Sequence, residues 1–281
     1  MFGLSTLSVE FILLLLIVSG LIVLMYKYRS FKRQKKEFEL EVAALEEHRD
    51  FLNNAGERLL ELKEALTLEQ QKSDKLLHSI LPERVIKDLQ EKGKSAPERF
   101  EYTAVFFADI INFTGIVPNL EPEELLNELN DIFGLFDRIF AKHHCERIKT
   151  VGDAYMAAAG MHKNDGDPCF NMLSAALEVR DALIQRNQQN NTRKWLMRFG
   201  INTGPVIGGI VGQDKYIYDI FGDTVNMASR IEHSSEAMKI NVPEKIMLAM
   251  QNKFDFEYRG IFQVRGRGEV AMYFLNGAKE L

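Results

Sequence analysis

From Phe11 to Tyr26 the chain reads FILLLLIVSGLIVLMY without a single charge. Few structures suit such a run. Inside a bilayer every backbone N–H and C=O must be bonded within the segment, and a lone segment achieves this only as a helix. About 20 residues span the hydrocarbon core, and Leu4 to Val9 extends the run to that length if Glu10 lies at the interface. No Lys or Arg precedes it, whereas Lys27, Arg29, Lys32, Arg33, Lys35 and Lys36 follow at once. This asymmetry predicts an N-terminus outside the cell and the rest of the chain in the cytoplasm. A cleaved signal peptide would carry its cations before the run and a small-residue cleavage site after it. Neither is present, so residues 1–30 are expected to form an uncleaved, single-pass anchor in the cell membrane. Fewer than ten residues lie beyond it, so no extracellular sensor domain is expected.

Phe31, Phe38, Leu45, Leu52, Leu59 and Leu66 then recur at intervals of seven, beside a half-polar column that includes Gln34, Glu41, His48, Ala55 and Leu62. One clean apolar column predicts a parallel coiled coil of modest stability over residues 31–77. Asn53, Asn54 and Gly56 weaken its middle. A marginal coil suits a transmitter, because small free-energy differences switch it. Pro82 ends the helix near Leu81. Residues 78–98 read as a linker with a polar hinge from Glu91 to Pro97, ahead of a domain at 99–281.

Composition removes several readings. The chain is 46% hydrophobic and 27% charged over 281 residues, the balance of a folded protein. A net charge of −5 leaves nucleic-acid binding without support. Cys145 and Cys169 have neither metal-ligand spacing nor a disulfide framework. The Gly-rich run from Gly200 to Gly209 lacks both G-x-G-x-x-G and G-K-[ST], which excludes dinucleotide and P-loop sites.

Beyond residue 99 the pattern alternates. Strands are expected at 102–108, 145–150, 154–159, 196–203, 206–212, 254–264 and 270–275, and helices at 122–142, 168–188 and 243–251. Leu125, Leu126, Leu129, Ile132, Phe133, Phe136, Ile139 and Phe140 form the core stripe of the first helix. This order predicts an α/β (α+β) domain, a mixed sheet with helices mainly on one face.

Three segments carry chemistry. Phe106 to Thr114 (FFADIINFT) puts Asp109 at the end of a buried-looking strand, and Ile148 to Met156 (IKTVGDAYM) puts Asp153 at a Gly-Asp hairpin tip. Two such carboxylates suit hard divalent cations, which share their remaining sites with phosphate oxygens. Tyr218 to Arg230 (YDIFGDTVNMASR) reads as a strand ending at Asp219, a turn, and a helix capped by Asp223 or Thr224. Asn226 and Arg230, four apart, share one face of that helix.

Together the three segments resemble the F-x-D-I-x-x-F-T, K-T-x-G-D-x-Y-M and YD-x-x-G-x-TVN-x-ASR motifs of class III nucleotide cyclases, and Leu76 to Val85 resembles the linker before their catalytic domains. The resemblance covers roughly residues 76–281. It implies a ferredoxin-like catalytic domain in which Asp109 and Asp153, assisted by the Ile110 carbonyl, hold two metal ions, Mg²⁺ or Mn²⁺. Asn226 would orient the ribose, Arg230 would stabilise the α-phosphoryl group, and Arg265 stands where a triphosphate-binding Lys is usual. Lys149 and Asp219 occupy the base-selecting positions, where guanylyl cyclases typically carry Glu and Cys or Ser. A Lys donor and an Asp acceptor match adenine, so ATP is the expected substrate and cyclic AMP the product. The family places its active site between two catalytic domains, which implies a homodimer through the catalytic domain as well as the coil. A membrane protein, lipid or small molecule is the expected regulator. The alternatives are a guanylyl cyclase and a non-catalytic membrane-anchored scaffold. Under mild oxidation, a Leu59→Cys chain should cross-link to a dimer and change its rate of turnover; an unchanged rate in the cross-linked species would argue against coupling through the coil.

Overall fold

The computed structural model describes residues 6–78, 80–162, 165–189, 193–212 and 215–279. The first residues of the expected anchor and Ser79 of the linker lie outside these. The chain divides into two units, Met1–Leu76 and Leu77–Leu281.

The first unit consists, among its described residues, of helix α1 (Thr6–His78), whose last two residues belong to the second unit; it is 73 residues long, which corresponds to about 110 Å at 1.5 Å per residue. Asn53, Asn54 and Gly56 do not interrupt it. Its N-terminal part is long and apolar enough to cross a membrane. The seven-residue column from Phe31 to Leu66 is exposed along its length.

The second unit opens with the linker helix α2 (Glu83–Lys92), which follows Pro82 and ends at Gly93 with φ 69°. Leu81, Val85 and Ile86 bury against Tyr218, so the linker packs onto the sheet rather than standing free of it. The remaining elements are β1 (Glu98–Ile110), α3 (Phe113–Ile116), a 3₁₀ turn (Val117–Asn119), α4 (Pro122–Lys142), β2 (Cys145–Val151), β3 (Ala154–Ala159), α5 (Pro168–Asn187), β4 (Met197–Val211), β5 (Ile217–Phe221), α6 (Asp223–His233), β6 (Ile240–Pro243), α7 (Glu244–Met250), β7 (Phe254–Val264) and β8 (Gly268–Ala278). The sheet runs β2-β3-β1-β4-β6-β8-β7, with β5 paired to β4. Among the described residues only the β4–β6 pair is parallel. The segment β1-α4-β2-β3-α5-β4, in spatial order 4-1-3-2, is the ferredoxin-like arrangement.

Several boundaries differ from expectation. The strands expected at 196–203 and 206–212 are one continuous strand, β4, because its pairing to β1 continues on both sides of Gly204 and Pro205. Short α3 and β6 were not anticipated; both are too short for periodicity to reveal. Helix α6 begins at Asp223 after Gly222, with no side-chain cap, so neither Asp223 nor Thr224 caps it.

Period-two alternation sorts the central strands. Ala104, Phe106, Ala108, Phe199 and Ile201 face α4 and α5 in the main core, with Phe133, Phe136, Phe140 and Tyr155 stacked around them. Of the expected α4 stripe, Leu126 alone points out, 59% exposed. Trp195 is fully buried as packing and donates its indole N–H to Glu128 at 2.8 Å. Val105, Val206 and Ile220 face the opposite way, toward Ala228 of α6.

Helix α6 comes so close to β4 that a Cβ on Gly200 would lie 2.1 Å from the Glu232 backbone nitrogen. Backbone gives way less readily than a side chain, so Gly200→Ala should cost about 1–3 kcal/mol or more and visibly lower the melting temperature. Leu126→Ala, on the exposed side of α4, should shift it little.

Candidate active site

Because Ala108 and Ile110 of β1 turn into the main core, Asp109 between them faces the α6 side. Arg198 lies directly opposite it in the β1–β4 register. The Arg198 guanidinium donates through Nη2 to Asp109 Oδ2 at 2.7 Å and through Nε to Glu232 Oε1 at 2.5 Å. Its Nη2 also stands 3.3 Å from His233 Nδ1.

Asp153 follows Gly152, whose φ of 62° a glycine adopts without strain, in the two-residue turn joining β2 to β3. Burial raises the Asp153 pKa, and the Asp109 carboxylate beside it raises it further, while the backbone N–H groups of Asp153 itself and of Ile110 oppose this. Burial likewise pushes Glu232 up to about 7 against the pull of Arg198.

The fold therefore brings the two aspartates together. Among the described residues no group of three or more His, Cys, Asp or Glu side chains converges as a metal site. Two neighbouring carboxylates form a short, all-oxygen donor set, which fits hard cations that complete their shells with carbonyl, water and phosphate oxygens.

A second pair meets between two other strands. Lys149 of β2 donates to Asp219 Oδ2 of β5 at 2.5 Å. Asp219 is 8% exposed, and its Oδ1 accepts the Ile220 N–H at 2.9 Å, which fixes the carboxylate's orientation. β5 continues past Asp219 to Phe221, so this acid sits inside a strand rather than at its end.

Asn226 and Arg230 lie on α6, away from its buried residues Thr224, Met227, Ala228 and Ile231. Arg230 donates through Nη1 to the Arg265 carbonyl, which ties α6 to the turn between β7 and β8. The Arg265 side chain is exposed. Among the described residues no hydrogen bond or ion pair joins Asn226 or Arg230 to Asp109, Asp153, Lys149 or Asp219.

A sequence model of the adenylate and guanylate cyclase catalytic domain matches residues 95–277. The chain belongs to this family of class III nucleotide cyclases. A receptor-type guanylate cyclase of Drosophila melanogaster is 35% identical over 237 residues, covering 82% of this chain and 15% of that protein. Other curated relatives, from rat, human, pig and cattle, are guanylate cyclases as well. This chain spans between 15% and 36% of the length of such relatives. The guanylate cyclase domain of a Catenaria anguillulae protein in complex with GTP is 27% identical, with TM-score 0.62, covering 65% of this chain and all of that domain. The catalytic core of a rhodopsin-guanylyl cyclase with converted specificity, in complex with ATPαS, is 28% identical with the same TM-score, covering 65% of this chain and 99% of that one. The cyclase fold and its mixed sheet thus stand as expected.

Sequence reasoning missed Arg198 and Glu232. The signal was a lone charge in the apolar stretch Trp195-Leu196-Met197-Arg198-Phe199, and an acid on the inner side of α6. Arg198→Met leaves the 7%-exposed Glu232 side chain unpaired, which should cost roughly 3–5 kcal/mol. Arg198→Met combined with Glu232→Met should cost less than the single change in a thermal melt, because Asp109 loses its partner in both but the buried Glu232 carboxylate is gone from the double variant.

Proposed function

We propose that this cyclase is an adenylyl cyclase that converts ATP to 3′,5′-cyclic AMP and pyrophosphate as a membrane-anchored homodimer. The Lys149–Asp219 pair carries the reading. Adenine offers an acceptor at N1 and donors at its 6-amino group, which match the Lys149 ammonium and the Asp219 carboxylate. Guanine offers the reverse, an N1–H facing a cation and an O6 facing an anion. Unpaired polar groups in a binding site discriminate by roughly 10⁴ or more. Held by Lys149 and the Ile220 N–H, the Asp219 carboxylate is set in place before substrate arrives.

The reaction is attack of the ribose 3′ oxygen on the α-phosphorus, with cleavage of the bond to pyrophosphate. Asp109 and Asp153, with the Ile110 carbonyl, would hold two cations, Mg²⁺ or Mn²⁺, which when bound favour the 3′ alkoxide and neutralise the triphosphate. Asn226 orients the ribose, a contribution of positioning. Arg230 donates to the α-phosphoryl oxygens as charge grows on them, and Arg265 takes triphosphate oxygens. Within one chain Asn226 and Arg230 make no bond to the aspartates. A twofold dimer answers this by setting one chain's Asn226 and Arg230 against its partner's Asp109 and Asp153.

In this reading the apolar part of α1 crosses the membrane with its N-terminus outside, and the column from Phe31 to Leu66 pairs in parallel with a second copy. The geometry of that coil sets how the two catalytic domains meet.

A second reading, guanylyl cyclase, is favoured by the curated relatives, which are guanylate cyclases. Overall similarity reports the whole domain, however, whereas the base edge is read by two side chains. The fold itself is equally similar to a GTP complex and to an ATPαS complex of converted specificity.

The full chain, supplied with Mn²⁺ and either ATP or GTP, should yield cyclic AMP from ATP by chromatography and little cyclic GMP. Asp109→Asn should abolish product, and Arg230→Ala should lower kcat by roughly 10²–10³. Lys149→Glu with Asp219→Cys should move preference toward GTP. Cyclic GMP as the main product of the unaltered chain would establish the second reading, and no product from a folded dimer would leave the scaffold.

A further inference from the structure

Beside the first turn of α6 lies a cavity of about 680 Å³, large enough for one small organic molecule. None of the eight proposed site residues lines it. Val206, Phe221, Met227 and Pro243 give it an apolar wall, and Asn202 of β4 is among the residues that line it. Asn202 is 2% exposed. Its Nδ2 donates to the Thr224 carbonyl at 3.1 Å, which fixes the amide's orientation, and its Oδ1 has no hydrogen-bond partner. A buried acceptor left unmade is costly, so a donor brought into this cavity would be favoured.

The charges around the cavity are unevenly matched. Arg267 pairs with Asp223, and Arg99 with Glu101. Gln263 donates to Glu269 at 3.2 Å, and Glu244 and Glu269 are both exposed at the rim. Lys245 donates to the Thr203 carbonyl, and among the described residues no carboxylate lies within ion-pair distance of it. Burial lowers the Lys245 pKa, as expected for an ammonium without a counter-charge. The N–H groups of the first turn of α6, uncapped by any side chain after Gly222, add partial positive charge on the same side.

We propose that this cavity is a binding site, separate from the nucleotide site, for a small organic anion with an apolar body and a hydrogen-bond donor. Its anionic end meets Lys245 and the start of α6, its body lies against Phe221 and Met227, and its donor reaches Asn202 Oδ1.

The test uses the full chain in lipid nanodiscs and the probe 3-fluoro-4-hydroxybenzoate, followed by broadening of its ¹⁹F line. Saturable binding at one site per chain is expected, unaffected by excess ATP. Lys245→Glu should weaken it about tenfold or more, and Lys245→Arg should retain it. The methyl ester of the probe, which lacks the charge, should bind weakly. Lys245→Gln, which removes the charge without reversing it, repeats the comparison if Lys245→Glu does not fold. Equal binding by the parent and the charge-removed chain overturns the proposal, as does displacement by ATP or no binding at all. Turnover is not measured, so the outcome is independent of which nucleotide the enzyme uses.

Discussion

One guanidinium holds the working face of this domain together. Arg198 stands opposite Asp109 across the β1–β4 ladder and reaches Glu232 on α6 at the same time. A buried carboxylate such as Glu232 is tolerated only beside a partner, so the bridge fixes the height and rotation of α6 over the sheet. Gly200, next but one along β4, permits the close approach that the bridge requires. The display of Asn226 and Arg230, and the tie from Arg230 to the Arg265 carbonyl, both follow from that placement.

The two faces of the sheet divide stability from chemistry. On one side α4 and α5 cover a hydrocarbon and aromatic core in which Phe106, Phe136, Phe140, Tyr155 and Trp195 are fully buried. On the other side α6 covers a smaller apolar patch, and Asp109 and Arg198 take the alternate positions of the same strands. A rigid core thus positions polar groups at a strand end and a hairpin tip, where the substrate site is proposed.

The linker joins this arrangement at a sensitive place. Leu81, Val85 and Ile86 pack on Tyr218, the residue preceding Asp219 in β5. The carboxylate proposed to read the base therefore lies one residue from the contact that anchors the segment arriving from α1. Similarity to relatives of either base preference is compatible with this, because the fold is common to both and the base edge meets only a few side chains.

The sequence alone was enough for the long N-terminal helix, the limits of α4, the order of the longer strands and helices, and the family, since each rests on a strong local period or on a contiguous motif. It also singled out Asp109, Asp153, Lys149, Asp219, Asn226, Arg230 and Arg265, because each lies inside such a motif. It did not disclose that β4 runs unbroken past Gly204-Pro205, that Leu126 turns outward, or that α6 starts uncapped. Those outcomes depend on pairing and packing partners far away in the chain. Only the tertiary structure could bring Lys149 to Asp219 across 70 positions, and Arg198 to Asp109 and Glu232 across 89 and 34. Local residue preferences carry no information about which distant charge a side chain meets; that is decided by strand register and by how closely a helix can lie on a glycine.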